Sequence, residues 1–183
     1  AVVFNQAASV VSAAARLTVN RVPTILARPT NSFARIGSNT VFSVTAVGNE
    51  QLRYQWRFND ANIPGATNTF LVITNTQTSD AGVYAVAVSD LVGTFITPPV
   101  TLTMLINPAI VVAPVSQSVV VGQPVTLSTV ASGNPLPFNF EWRRGALSVA
   151  SNTVNSFEGY YSFIASNNVS TQGYRVIVRN LAS

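Results

Sequence analysis

Asp80-Ala81-Gly82-Val83-Tyr84, followed two residues on by Val86, is the stretch around which the chain is organised. A degenerate second copy reads Gly159-Tyr160-Tyr161-Ser162-Phe163. Upstream of the first copy, residues 52–58 (LRYQWRF) alternate with the period of two expected of a half-buried strand, with Trp56 at a buried phase. Upstream of the second, residues 138–142 (FNFEW) place Trp142 in the same role. These two sets fix the register of everything else.

Trp56 stands twelve residues after Val44, and Tyr84 two before Val86. The spacing is similar to the immunoglobulin pattern of Cys, Trp and Tyr-x-Cys, with valine at both cysteine positions. In the second half, Thr129 and Phe163 take the paired positions, while Trp142 and Tyr161 are kept. The wider phrasing Tyr54-Gln55-Trp56-Arg57, Ile63-Pro64-Gly65-Ala66-Thr67 and Ser79-Asp80-Ala81-Gly82-Val83-Tyr84 resembles the cysteine-free, I-set-like tandem repeats of large bacterial surface and secreted proteins. The likeness covers nearly the whole chain and departs at Phe157, where the second half lacks the corner aspartate.

The resemblance implies an all-β chain of tandem immunoglobulin-like β-sandwiches with a core of Val44, Trp56, Tyr84, Val86, Thr129, Trp142, Tyr161 and Phe163. It also implies that Asp80, Gly82 and Gly159 shape the turns into strand F, with Asp80 in a structural contact such as one to a facing Arg. An inter-sheet disulfide contributes about 2–4 kcal/mol, and a buried Val or Phe roughly 1.5–3 kcal/mol, so apolar pairs recover part of the loss. Thr129 needs a partner for its hydroxyl if it is buried.

Residues 1–20 align without a gap to residues 86–105, with Leu17 and Val19 falling on Leu102 and Met104. The opening segment 1–20 therefore reads as the F–G hairpin of a preceding domain. Residues 21–106 read as one complete sandwich: strand A in two pieces broken at Pro29, B over 40–47, C over 52–58, E over 70–73, then F and G, with Pro98-Pro99 interrupting G. Residues 107–183 repeat the plan after a joint at Asn107-Pro108. There, the second piece of strand A is expected at 119–121, B at 125–130, C at 138–142, F after Gly159 and G at 174–178. Trp142 stands 17 residues before Gly159, whereas Trp56 stands 26 before Gly82. This predicts a second domain nine residues shorter between C and F, where a short edge strand would otherwise lie, and with fewer strands than the first.

Only 9% of the 183 residues are charged, against 48% hydrophobic, and the polar remainder is mostly Ser, Thr, Asn and Gln. That balance opposes disorder, which needs low hydrophobicity and high charge. With no Cys, His or Lys in the sequence, disulfides, thiolate metal sites, isopeptide cross-links and histidine general bases are all excluded. The net charge of +4 comes from scattered Arg, of which only Arg143-Arg144 are adjacent. A nucleic-acid surface calls for clustered cations interleaved with aromatics, so no nucleic-acid partner is expected. No apolar run reaches the ~20 residues of a membrane span, so no membrane insertion is expected. The first residue is Ala and no leader is recognised, which reads as a processed product or a fragment.

Glu50, Asp60 and Asp90 fall on different loops and give neither a catalytic carboxylate pair nor a calcium-loop spacing. No catalytic, cofactor-binding or metal site is expected, and no enzymatic activity. Tyr160, Tyr161 and Tyr174 could offer a sugar-binding face, against which stands ordinary strand packing. Asn168-Val169-Ser170 is a glycosylation sequon assigned to the F–G loop. The apolar opening hairpin has two readings. It is the cut edge of a fragment, or it completes the sheet of a neighbouring copy by strand addition. The expected function is a structural or adhesive segment of a cell-surface or secreted protein, able to assemble head to tail into a filament. Its expected partners are neighbouring immunoglobulin-like domains of its own chain or other copies. The alternatives are an accessory carbohydrate-binding or spacer module of a secreted enzyme, and a viral decoration or tail-fibre domain.

Overall fold

The computed structural model describes residues 2–4, 9–17, 19–49, 51–167 and 173–183. In chain order the strands are β1 (Val2–Phe4), β2 (Ser9–Val11), β3 (Thr24–Ala27), β4 (Ser32–Ala34), β5 (Thr40–Ser43), β6 (Thr45–Val47), β7 (Arg53–Phe58), β8 (Ala61–Asn62) and β9 (Phe70–Ile73). After a 3-10 turn (Thr78–Asp80) come β10 (Gly82–Ser89), β11 (Thr94–Ile96), β12 (Val100–Met104), β13 (Ile106–Val112), β14 (Pro124–Asn134), β15 (Phe138–Arg144), β16 (Leu147–Val154), β17 (Glu158–Ile164) and β18 (Tyr174–Arg179).

In the first sandwich one layer pairs β3 with β6 and β5 with β9, while the other runs β4-β12-β10-β7-β8, with β11 also on β10. The Pro29 break, which separates β3 from β4, lets the chain cross between layers. There β4 pairs parallel to β12, with Ala34 opposite Met104. Pro98-Pro99 separates β11 from β12, as an imino residue without an N–H must on a ladder strand. Asn59 and Asp60 turn the chain after β7 with φ of 44° and 65°, the left-handed region that Asn and Asp tolerate best after Gly.

The second sandwich has layers β13-β14-β17 and β16-β15-β18. This corrects three expectations. β17, carrying Tyr160, Tyr161 and Phe163, pairs with β14 in the layer opposite Trp142, so it is strand E and not strand F. β18 pairs with β15, with Val176 opposite Trp142 as Val86 is opposite Trp56, so it is strand F and not strand G. The unit is not pared down after strand C either: β16 has eight residues along β15, where the first sandwich has only the two-residue β8. A tyrosine two residues before a bulky apolar residue occurs both on E (Tyr161-x-Phe163) and on F (Tyr174-x-Val176), and spacing alone does not say which sheet a strand joins. Asn107-Pro108 lies inside β13, so the joint is Leu105 between β12 and β13, and no strand forms at 119–121.

β1 and β2 pair with Val2 opposite Val11, Val3 opposite Val10 and Phe4 opposite Ser9. The same register recurs 85 residues on in Ala87–Ile96, Val88–Phe95 and Ser89–Thr94, the F–G hairpin of the first sandwich.

Candidate functional site

Two tryptophan-centred interiors and the joint between them are what the fold builds. Trp56 is fully buried and flanked by Phe42 at a ring-centroid distance of 6.3 Å. Phe42 also meets Tyr84 at 5.0 Å, and Tyr84 meets Phe58 at 4.9 Å. Val44, Val86 and Tyr84 are buried in the same cluster. The Tyr84 hydroxyl donates to the Asp80 carbonyl at 2.8 Å, closing the turn into β10. Burial, and then the nearby Asp80 charge, push the Tyr84 phenol up to about 12. The Asp80 carboxylate is not paired with an Arg among the described residues. Instead it accepts the Gln77 N–H at 2.7 Å, capping the 3-10 turn. Gly82 lies against Phe58 and Asn59, leaving a Cβ only 2.5 Å from the Phe58 ring.

The second interior reaches a similar end by other contacts. Trp142 is fully buried and stacks at 6.2 Å on Tyr161, which continues to Phe163 at 5.1 Å. Phe163 in turn stacks on Tyr174 at 5.1 Å. Tyr161, Phe163 and Tyr174 are therefore half-buried packing residues. Of the three tyrosines considered as a sugar platform, only Tyr160 is exposed. The pairing gives Tyr174 and Val176 the places that Tyr84 and Val86 hold in the first unit. Sequence reasoning missed this pair, although Tyr174-x-Val176 repeats the Tyr84-x-Val86 spacing. Thr129 is buried and its hydroxyl donates to the Val112 carbonyl at 2.8 Å, which supplies the partner that burial demands. Gly159 is not at a corner: it lies opposite Thr129, where a Cβ would fall 2.3 Å from the Phe140 ring.

At the joint, Arg35 donates to the Ala182 carbonyl at 2.6 Å and to Asn107 Oδ1 at 3.4 Å. Asn134 Nδ2 donates to the Met104 carbonyl at 2.6 Å, and Asn180 Nδ2 to the Ile106 carbonyl at 2.9 Å. The Leu105 N–H bonds back to Ala34 at 2.7 Å. Gly133, at φ +138°, sits where a Cβ would fall 3.1 Å from the Ile106 and Asn107 carbonyl oxygens, so a side chain there would be both strained and crowded. Arg35 and Asn134 thus bridge the one-residue connection, while Asn180 holds the start of β13 within the second unit.

No group of three Asp, Glu, His or Cys that could hold a metal exists among the described residues. Arg143 and Arg179 flank Glu141 at 3.4 and 2.8 Å, and the hydrogen bond from Arg179, with Arg143 beside it, holds the Glu141 carboxyl below its ordinary range. The sequon Asn168-Val169-Ser170 falls between β17 and β18, outside the described residues, as does Glu50.

Residues 22–89 match the family described as Immunoglobulin domain. With 13% identity, the I-band fragment I67–I69 from titin superposes at a TM-score of 0.65, over 90% of this chain and 62% of that one. The chain is built of tandem immunoglobulin-like sandwiches. A complex of Dpr2 Ig1-Ig2 with DIP-Theta Ig1-Ig3 is similar at a TM-score of 0.64 and 18% identity, over 87% of this chain and 62% of that one. In sequence, the immunoglobulin-like chain is 33% identical over 134 residues to mouse peroxidasin homolog, covering 67% of the chain and 9% of that protein. It is 31% identical over 157 residues to rat Roundabout homolog 1, covering 75% of the chain and 9% of that protein. The chain therefore spans about a tenth of the length of these curated relatives. They come from animals, not bacteria.

Proposed function

We propose that this chain is a non-catalytic structural and adhesive segment of a cell-surface or secreted protein, in which immunoglobulin-like units are held in line and associate end to end. The single observation that carries the reading is the joint at Leu105. Arg35 and Asn134 bridge its two sides, so the second unit continues the first as a braced rod. The similar Dpr2 and DIP-Theta structures are of immunoglobulin domains in complex with one another, which supports immunoglobulin-like domains as partners here. Sugar binding draws no such support, because Tyr161 and Tyr174 are spent on packing. No helix among the described residues is long and apolar enough to cross a membrane.

Small-angle scattering of the chain against the Arg35→Ala/Asn134→Ala variant tests the brace. The parent chain should fit one extended arrangement, and the variant a spread of inter-unit angles. A parent chain that itself needs such a spread would refute the rod. For the adhesive and filamentous part, beads coated with the chain should cluster and electron micrographs should show linear assemblies. Monodisperse monomers at high concentration would rule the assembly out.

A further inference from the structure

Sheet edges are where a sandwich can meet another strand, and the two units treat the edge beyond strand C differently. In the first, β8 is two residues long, and Pro64 and Gly65, the latter at φ +74°, turn the chain away shortly after it. In the second, β16 runs for eight residues beside β15. It lies mid-unit, between β15 and β17 in sequence and on the far side of β15 from β18. Among the described residues β16 pairs with β15 alone, so the main-chain groups along its other edge have no strand to bond.

Charge, proline, shortness and bulges are the devices that keep such an edge from recruiting another strand. Leu147–Val154 holds neither a charged residue nor proline. Its one bulge is at Val149, where the register shifts between Trp142 and Arg143, and residues 150–154 are left regular. By contrast β17, which edges the facing layer, carries Glu158. The hydroxyls of β16 are already engaged, since Asn139 Nδ2 donates to Ser151 Oγ at 3.1 Å and to Thr153 Oγ1 at 3.2 Å. What the strand still offers is its backbone.

The regular residues suit a strand of their own sequence. Laid antiparallel about Asn152, Ala150 stands opposite Val154, Ser151 opposite Thr153, and Asn152 opposite itself. The pairs match in face as well as in kind. Ala150, Asn152 and Val154 share the face of Trp142, Phe140 and Phe138, while Ser151 and Thr153 share that of Glu141 and Asn139. No charge on the strand meets a like charge. We infer that β16 pairs antiparallel with β16 of a second copy of this chain, about a two-fold axis at Asn152. Two three-stranded layers then become one continuous sheet, and both open edges gain main-chain partners. This contact joins flanks and closes at two copies, so it is separate from the end-to-end association proposed above.

Sedimentation of the 183-residue chain over rising concentration should show a monomer–dimer equilibrium. Asn152→Asp and Asn152→Arg, both at an exposed position, should each weaken dimerisation by about tenfold or more, because each sets like charges opposite one another at the axis. An equimolar mixture of the two variants should dimerise again, which loss of folding in either would not allow. A dimer unmoved by both substitutions, or variants that stay apart when mixed, would overturn the pairing. So would a parent chain that remains monomeric throughout. Assemblies that grow past two copies and persist in Asn152→Asp would leave end-to-end association standing and overturn the edge pairing alone.

Discussion

In the first sandwich Trp56 lies beside Phe42, and the aromatic chain runs on through Tyr84 to Phe58, residues from strands B, C and F. In the second, Trp142 lies on Tyr161, and the chain runs through Phe163 to Tyr174, residues from strands C, E and F. The tryptophan stays in place while its aromatic neighbours shift from strand B to strand E. Strand B compensates with smaller or polar side chains: Leu127 stands where Phe42 does, and Thr129 where Val44 does. The indole N–H differs too, since Trp56 Nε1 donates to Asn68 at 3.0 Å, while Trp142 Nε1 has no partner among the described residues. What the fold demands is a filled volume between the sheets at this level. Which strand supplies it is negotiable, because close packing constrains total volume and shape more tightly than residue identity.

The sharpest way to break the comparison is at the tryptophans. Trp56→Ala and Trp142→Ala each empty a fully buried site and should each cost about 3–5 kcal/mol. Calorimetry should show each substitution lowering one unfolding transition more than the other, since the two cores are separate clusters. A variant with an unchanged melting profile would remove that tryptophan from the core. Next in size is Gly159→Ala. The added methyl would enter the space of the fully buried Phe140 ring, so overpacking of about 1–3 kcal/mol is expected, read as a lower midpoint in urea. A neutral result would mean that Phe140 has room to move and that close packing does not require glycine at position 159.

Much of the first sandwich was legible because its signals are local and redundant. The alternation in residues 52–58, the Pro29 and Pro98-Pro99 breaks and the Asn59-Asp60 turn each constrain one strand boundary. The second was misread from strand E onward because Tyr161-x-Phe163 imitates Tyr-x-Val, and only sheet partnership separates the two. That partnership is a long-range fact: β17 meets a strand some thirty residues away in sequence, and nothing in its own composition states which one. The joint was invisible for a related reason. Arg35 and Asn134 are unremarkable polar residues until the two units meet at Leu105.

The smallest expected effect tests whether the corner of the first sandwich is a true hydrogen-bonded lock. Tyr84→Phe removes the bond to the Asp80 carbonyl and leaves that oxygen to find another partner, a loss of about 1 kcal/mol at neutral pH. The alkaline limb separates this from simple repacking. In the folded chain the Tyr84 phenol is held protonated up to about 12, first by burial and then by the Asp80 charge, whereas unfolding returns it to its ordinary value of 10.0. Below pH 10 the tyrosine is neutral in both states and its contribution is complete. Between pH 10 and about 12 the unfolded chain gives up the proton first, so stability falls as pH rises. Urea titrations from pH 8 to 12 should therefore show the parent chain declining more steeply than Tyr84→Phe, with the gap between them narrowing. Parallel curves would mean that Tyr84 ionises alike in both states, and that the corner holds by packing of Phe42 and Phe58 alone.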